Sequence, residues 1–358
     1  MIRVFAINLG STSTKWAYHE DGQAASEGAI SYHTAQIEQF ESPLDQREMR
    51  TADILAAMDE HGIKLDELDA FVSRGGLTEP VPGGVIEINE AMVEQAESGN
   101  WGVHPCNVGV RIAFDLVKGR KARALVVDSP ATDELSNVAR YSGLPGVERV
   151  AHSQALNNKA MARVYAEEQG RSFADMNFVC ACLGGGISVV AFERGRMIEA
   201  PDGVDGEGCF STNRSGGVTL GPIIRMCYSG AYTMDEMFKK INGKAGLVGY
   251  LDTVDARKVE AMIDAGDEYA AEVLDAMCYQ VAKDIGGCAV ALAGDVDAII
   301  VTGGMAHSAR IFEAIERRVK FIAPVVCMPG EREMESLCHN AYEALLGKQE
   351  IQQFVPST

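Results

Sequence analysis

The chain has 358 residues, 47% hydrophobic, 23% charged and 7% aromatic, which is enough apolar material for a large core and too little charge for disorder. Thirty-two Lys and Arg against 51 Asp and Glu give a formal charge of -19 at pH 7. That balance excludes non-specific nucleic-acid binding, and it requires any anion site to be assembled from local donors against the global field. At about 150 residues per domain, the length predicts two lobes with a cleft between them.

The elements alternate along the chain. Strand-like segments are expected at Val4 to Ile7, Ala70 to Ser73, Ala124 to Val127, Phe178 to Leu183, Ile187 to Phe192 and Asp297 to Thr302. Each is followed by Gly-rich or helical sequence, which predicts a mixed α/β architecture. Pro105 opens a helical run through Val108, Ile112 and Leu116 that stops at Gly119, and a second run carries Leu156, Ala160 and Val164. The longest stripe, Val273, Met277, Val281, Ile285, Cys288 and Leu292, predicts a buried central helix. Gly286 and Gly287 interrupt it, which suggests a close helix contact or a kink. Met334, Leu337, Cys338, Ala341 and Leu345 predict a last helix closed by Gly347.

The nine cysteines, Cys106, Cys180, Cys182, Cys209, Cys227, Cys278, Cys288, Cys327 and Cys338, have no repeated spacing and no zinc pattern, so they read as reduced thiols. No apolar segment approaches membrane length, and the run Ile2 to Ile7 lacks a basic flank. A soluble cytoplasmic protein with no membrane partner is expected.

One internal similarity organises the rest. VFAINLGSTSTKWAYHEDG, from Val4 to Gly22, and FVCACLGGGISVVAFERG, from Phe178 to Gly195, share a plan of strand, Gly-containing turn, Ser, strand and polar turn. This is a β-hairpin used twice, one per lobe, so that the two turns could face a common cleft. The first turn gathers Asn8, Gly10, Ser11, Thr12, Ser13 and Lys15: backbone N-H groups, hydroxyls and a cation, the parts of a phosphate-binding loop without the P-loop spacing. An ordinary polar turn fits the same residues. The second turn, Gly184, Gly185 and Gly186 followed by Ser188, suits a ligand approaching bare backbone, or a β-bulge. A third, Gly303 and Gly304, follows a buried strand and could lie against a nucleoside. Arg74 and Arg214 both sit in Gly-rich turns, where a guanidinium can meet an anion or simply be solvated. Asp128 ends the strand Ala124 to Val127, placed either to organise Mg²⁺ or to cap a helix near Asp133. Glu331, Glu333 and Glu335 suit the first turn of the last helix. His104 precedes the Pro105 helix, and His307 follows the Gly303-Gly304 turn. The stretch Asp202 to Thr212 reads as a substrate loop leading into Arg214.

With these motifs, INLGSTSTK, SRGGLTEPVPGG, LGGGISV, DGEGCFSTNRSGG, LVGYLDTVDAR, VTGGMAHS and APVVCMPGEREMESL, the sequence resembles the acetate/butyrate kinase family of the actin, Hsp70 and sugar-kinase fold superfamily. The likeness runs almost end to end and is greatest to the butyrate kinase branch. The resemblance implies an actin-like ATPase fold, with lobes at 1-150 plus 335-358 and at 151-334. It also implies reversible, Mg²⁺-assisted transfer of the ATP γ-phosphoryl group to butyrate or a related short or branched-chain carboxylate, giving the acyl phosphate and ADP. On this basis Asn8, Ser11, Thr12, Ser13, Lys15, Gly184, Gly185, Gly186 and Ser188 match the phosphate loops, and Gly303 and Gly304 the adenosine turn. Arg214 and Asp128 match catalytic positions, Arg74, also expected to be catalytic, occupies the turn where acetate kinases place a His before Gly-Gly, and Asn8, Asp128 and Glu333 match the metal shell. Phe71 stands where acetate kinases carry an acetate-binding arginine, which implies a wider, more apolar acyl pocket. The sequence departs from the branch at Gln154 and Cys182, where His is usual, with His152 two positions early. A nucleotide-binding regulatory protein with weakened phosphotransfer is therefore the alternative, beside a kinase for another small carboxylate or a phosphatase or sugar kinase on the same fold. A homodimer or higher homo-oligomer is expected.

Overall fold

The computed structural model describes residues 1–357. Its strands are β1 (Arg3–Leu9), β2 (Ser13–Glu20), β3 (Gln23–Ser31), β4 (Ala70–Ser73), β5 (Val85–Glu87), β6 (Arg123–Val127), β7 (Asn177–Leu183), β8 (Ile187–Glu193), β9 (Arg196–Glu199), β10 (Ala298–Gly303), β11 (Val325–Pro329) and β12 (Ile351–Gln353). The chain divides into two compact units, one formed by Met1–Asp133 with the segment from Arg332 onward, the other by Glu134–Glu331.

In the first unit a seven-stranded sheet has the order β12-β5-β6-β4-β1-β2-β3. The hairpin β1-β2 is antiparallel, with Asn8 opposite Lys15, while β4 runs parallel to β1 and β6 parallel to β4. From Val4 to Leu9 every residue of β1 is buried except for a small part of Asn8, as a strand covered on both faces must be. Phe5, Ile7, Leu9 and Phe71 point toward the helices Arg47–Glu60 and Pro105–Val117. The last helix, Glu333–Leu345, lies across β1, β2, β4 and β6 and buries Leu337, Cys338 and Ala341.

The second unit repeats the plan. β7, β8 and β9 form an antiparallel meander, and β10 and β11 add parallel strands in the order β11-β10-β7-β8-β9. Alternate residues of β7 serve two cores. Val179, Ala181 and Leu183 pack with the helices Glu268–Ala291 and Ala309–Val319, and Phe178 and Cys180 pack on the side of the helix Ala155–Glu168. The duplicated hairpin is therefore a shared strand plan, each copy flanked by a strand parallel to its first member.

Several expectations are corrected. Residues 134–150 pack with the second unit, because Glu134 accepts from Met197 N (2.9 Å) and pairs with Lys159, and Arg149 bridges Glu199 and Glu207. No helix follows Asp133; a single 3-10 turn occurs at Asn137–Arg140. The helix Glu268–Ala291 runs unbroken through Gly286 and Gly287, where an added Cβ would meet nothing within 4 Å, so a close helix contact is not their reason. Its stripe is buried within its own unit. Large exposed apolar residues lie instead at Leu220, Ile224, Tyr228, Met234 and Phe238. Among the described residues no helix is long and apolar enough to cross a membrane, and all nine cysteines are free thiols.

Candidate functional site

In the first unit the last helix returns Glu333 to the start of the chain. Asn8, buried near the end of β1, donates from Nδ2 to Glu333 Oε2 (2.6 Å), and Arg74 Nη2 lies 3.4 Å from Glu333 Oε1. The carboxylate thus holds both of its sequence-predicted neighbours, while the Arg74 Nε is buried without a partner. An unpaired guanidinium donor in such a place is costly unless a ligand takes it. Asp128 is buried with φ of 41°, a left-handed conformation rare outside Gly. Its Oδ1 accepts from Gly84 N (2.8 Å), and its own N-H donates to Gly84 O (3.0 Å).

The β1-β2 turn closes through Gly10 N to Ser13 O (2.8 Å), leaving Ser11 and Thr12 exposed and Ser13 and Lys15 half-buried. Its floor is a residue absent from the sequence-predicted set. Arg50, wholly buried, binds the carbonyls of Gly10 and Ser13 from beneath. The signal for it lies in spacing, since Arg50 precedes Ile54 and Met58 by four and eight residues, on the buried stripe of their helix. Phe71 packs at 5.3 Å from Phe5 in the sheet core. It is a core residue, so the expectation that this position widens an acyl pocket is not upheld.

In the second unit the Gly184-Gly185-Gly186 turn is the centre. Gly184 N donates to Gly186 O (3.0 Å). Gly185 O accepts from Ser211 Oγ (2.8 Å) and Thr212 Oγ1 (3.1 Å), which fastens the loop carrying Arg214 to the turn. A Cβ on Gly186 would lie 3.0 Å from Arg214 Nη1 and 3.5 Å from Gln154 Nε2; the close contact, rather than unusual backbone angles, is the reason for glycine there. Gln154 donates to Gly186 O and is hydrogen-bonded to the Ser188 hydroxyl. Ser188 is correspondingly turned inward, buried against Gln154 and Asn158, and does not present its oxygen on the turn as the sequence suggested.

Arg214 donates to Gly203 O (2.7 Å) and has no carboxylate in ion-pair range among the described residues. Burial pulls its guanidinium below the ordinary value, and Asp202 acts in the opposite sense. His152 stands beside Asp202. Its Nδ1 lies 3.1 Å from Asp202 Oδ1, and its backbone is tied to Pro201 and Gly203. Burial opposes ionisation of Asp202, but His152 and the N-H groups of Asp205 and Val204 outweigh it and hold the carboxyl below the usual range. Asp205 is pushed up, by burial first and then by the Asp202 charge.

A cavity of about 810 Å³ opens beside the same turn, lined by Gly184, Gly185, Val254, Arg257, Gly304 and Met305 among others, a size suited to a nucleoside. Gly304 offers open backbone there. Gly303 serves packing instead. With φ of 90°, its Cβ would stand 2.6 Å from Leu183 O, so it seats β10 against β7. In the sequence Val254, Arg257 and Met305 stand out only as motif members; the cavity gives them a place in a site.

Magnesium binds hard oxygen donors. It takes one or two carboxylates and keeps several waters, and Asp128 and Glu333 with Asn8 supply oxygens of that kind. Among the described residues no group of three or more His, Cys, Asp and Glu that could hold a metal ion occurs.

Comparison with known proteins bears on both units. A model described as the Acetokinase family matches residues 153–328, just under half of the chain and wholly within the second unit. Over the whole fold the chain is similar to the acetate kinase of Porphyromonas gingivalis, with 19% identity, TM-score 0.78, and 97% of this chain and 100% of that one covered. It is also similar to an acetate kinase from Entamoeba histolytica, with 16% identity, TM-score 0.74, and coverage of 98% and 99%. A propionate kinase from Francisella tularensis gives 16% identity, TM-score 0.74, and coverage of 95% and 99%. The fold is that of the acetate kinases, an actin-like ATPase fold of two lobes built on mixed sheets flanked by helices.

Proposed function

We propose that this chain, which carries the Acetokinase family pattern through residues 153–328, is an ATP-dependent carboxylate kinase that forms and consumes acyl phosphates. The observation that carries this reading is Arg214, a half-buried cation with no carboxylate in ion-pair range among the described residues, lying over a Gly-rich turn beside a nucleoside-sized cavity. A carboxylate is ionised at neutral pH and needs no general base. Catalysis then reduces to in-line positioning and neutralisation of the transferring phosphoryl oxygens.

The second unit supplies the nucleotide part: the cavity at Gly304 for the nucleoside, the N-H groups of Gly184, Gly185 and Gly186 for phosphate, and Arg214 for the phosphoryl group in flight. Gln154 stands beside Arg214 as a neutral donor. The first unit supplies the turn from Gly10 to Lys15, the partly unpaired Arg74 as an anion donor, and Asn8, Asp128 and Glu333 to hold Mg²⁺. When bound, the metal would offset charge on the β- and γ-phosphates. The preferred acid is butyrate or a related short or branched-chain acid, a choice supported by the butyrate-branch motifs of the sequence.

Trapping the product with hydroxylamine, while acetate, propionate, butyrate, isobutyrate and isovalerate are offered with Mg-ATP, tests this. The expected result is hydroxamate formation, greatest with the four-carbon and branched acids. No hydroxamate with any acid, together with retained nucleotide binding, is the outcome for a regulatory protein, which neutral Gln154 in place of a cationic donor favours.

A further inference from the structure

The β1-β2 turn is built over a buried cation. Arg50, 0% exposed, donates from Nη2 to Gly10 O (2.9 Å) and, at longer range, to Ser11 O (3.5 Å). From Nη1 it donates to Ser13 O (3.1 Å) and Thr14 Oγ1 (2.9 Å), and from Nε to Gln46 Oε1 (2.9 Å). The Tyr32 ring lies 4.7 Å from Cζ, and Tyr32 N donates to Thr12 O. Among the described residues no carboxylate pairs with this guanidinium; Asp53 acts on it through its charge alone.

Burying a guanidinium without a counter-ion is costly, and shape alone would be served as well by a long apolar side chain. The fork nevertheless binds three carbonyl oxygens of a single turn. A C=O group held inward cannot repel an anion on the outer face, where Ser11 and Thr12 are exposed. The positive charge itself sits directly behind that face, in surroundings of low polarity where its field is weakly screened. We propose that Arg50 is a positioning residue for phosphate recognition: it fixes the turn with its carbonyls averted and supplies a fixed positive field behind a phosphate bound on the outer face of that turn. This rests on the kinase reading to the extent that the anion is a nucleotide polyphosphate.

The test is calorimetric titration of the full chain and its Arg50→Met and Arg50→Lys variants with MgADP and with adenosine, alongside KM values for ATP and butyrate. Arg50→Met should weaken MgADP by about tenfold or more, as expected for loss of charge-assisted contacts. It should leave adenosine affinity and the KM for butyrate close to wild type. Arg50→Lys, which keeps the charge and loses the fork, should fall between the two, and it carries the test alone where Arg50→Met does not fold. A lowered melting temperature with unchanged MgADP affinity would reduce Arg50 to a structural residue and overturn the proposal. A wild-type chain that binds MgADP but makes no acyl phosphate removes the kinase reading while the MgADP comparison still decides on Arg50. A wild-type chain that does not bind MgADP overturns both.

Discussion

At Gly186 two side chains of different character meet, the cation Arg214 and the neutral amide Gln154. Arg214 is readable in the sequence because a lone Arg among glycines has few competing partners. The inward turn of Ser188 is not, since only the fold shows that Gln154 and Asn158 take its hydroxyl. Arg50 escapes for the opposite reason: an Arg on a helix is ordinarily solvated, and the pattern alone does not reveal which carbonyls await it. His152 pairs with Asp202, a partner that its sequence position does not announce. That pairing has a pH signature. Because the Asp202 carboxyl titrates below the ordinary value of about 3.9, its contribution to stability is complete above that value and is lost as pH falls through the lower folded-state value. Asp202→Asn should therefore cost about 1–3 kcal/mol near pH 7, with the difference from wild type shrinking below about pH 4. Denaturant unfolding at pH 7, 5 and 3.5 measures it, and a difference independent of pH would contradict the assignment.

At the scale of elements, the strands, the duplicated hairpin and the helices at Pro105–Val117, Ala155–Glu168 and Glu333–Leu345 follow from apolar periodicity and from Pro and Gly punctuation. Loops are harder, because their shape depends on contacts with distant backbone. The Arg214 loop is the main case. Ser211 N binds Arg214 O (3.0 Å), Leu247 N binds Ser211 O (3.0 Å) and Gly243 N binds Asn213 O (2.7 Å). At Gly246, φ is 63° and an added Cβ would fall 2.0 Å from Ser211 O and 2.9 Å from Arg214 O. No rotamer relieves an overlap with backbone. Gly246→Ala should cost at least about 2 kcal/mol and displace the loop, so turnover and melting temperature should fall together. A variant with wild-type melting temperature would show that Gly246 does not seat this loop.

For the whole molecule, the proposed function asks a chain of charge -19 to handle anions. Each unit carries cations that would work against the global field, Arg50 and Arg74 in the first and Arg214 in the second, with the Gly-rich turns adding N-H groups. The net charge disfavours nucleic acid, while local donors of this kind would serve a small anion against it. The division of the chain near Asp133 and Glu331 is legible in the sequence only approximately, because residues 134–150 join the second unit through ion pairs that no local pattern announces. The central claim is direct transfer between a carboxylate and ATP, and phosphorus NMR of the reverse reaction tests it most directly. With butyryl phosphate and MgADP, the wild-type chain should produce the γ-phosphate resonance of ATP, and Arg214→Ala, with its fold intact, should lower the rate by about two or more orders of magnitude. Release of inorganic phosphate without ATP, or ATP formation undiminished in Arg214→Ala, would contradict the account.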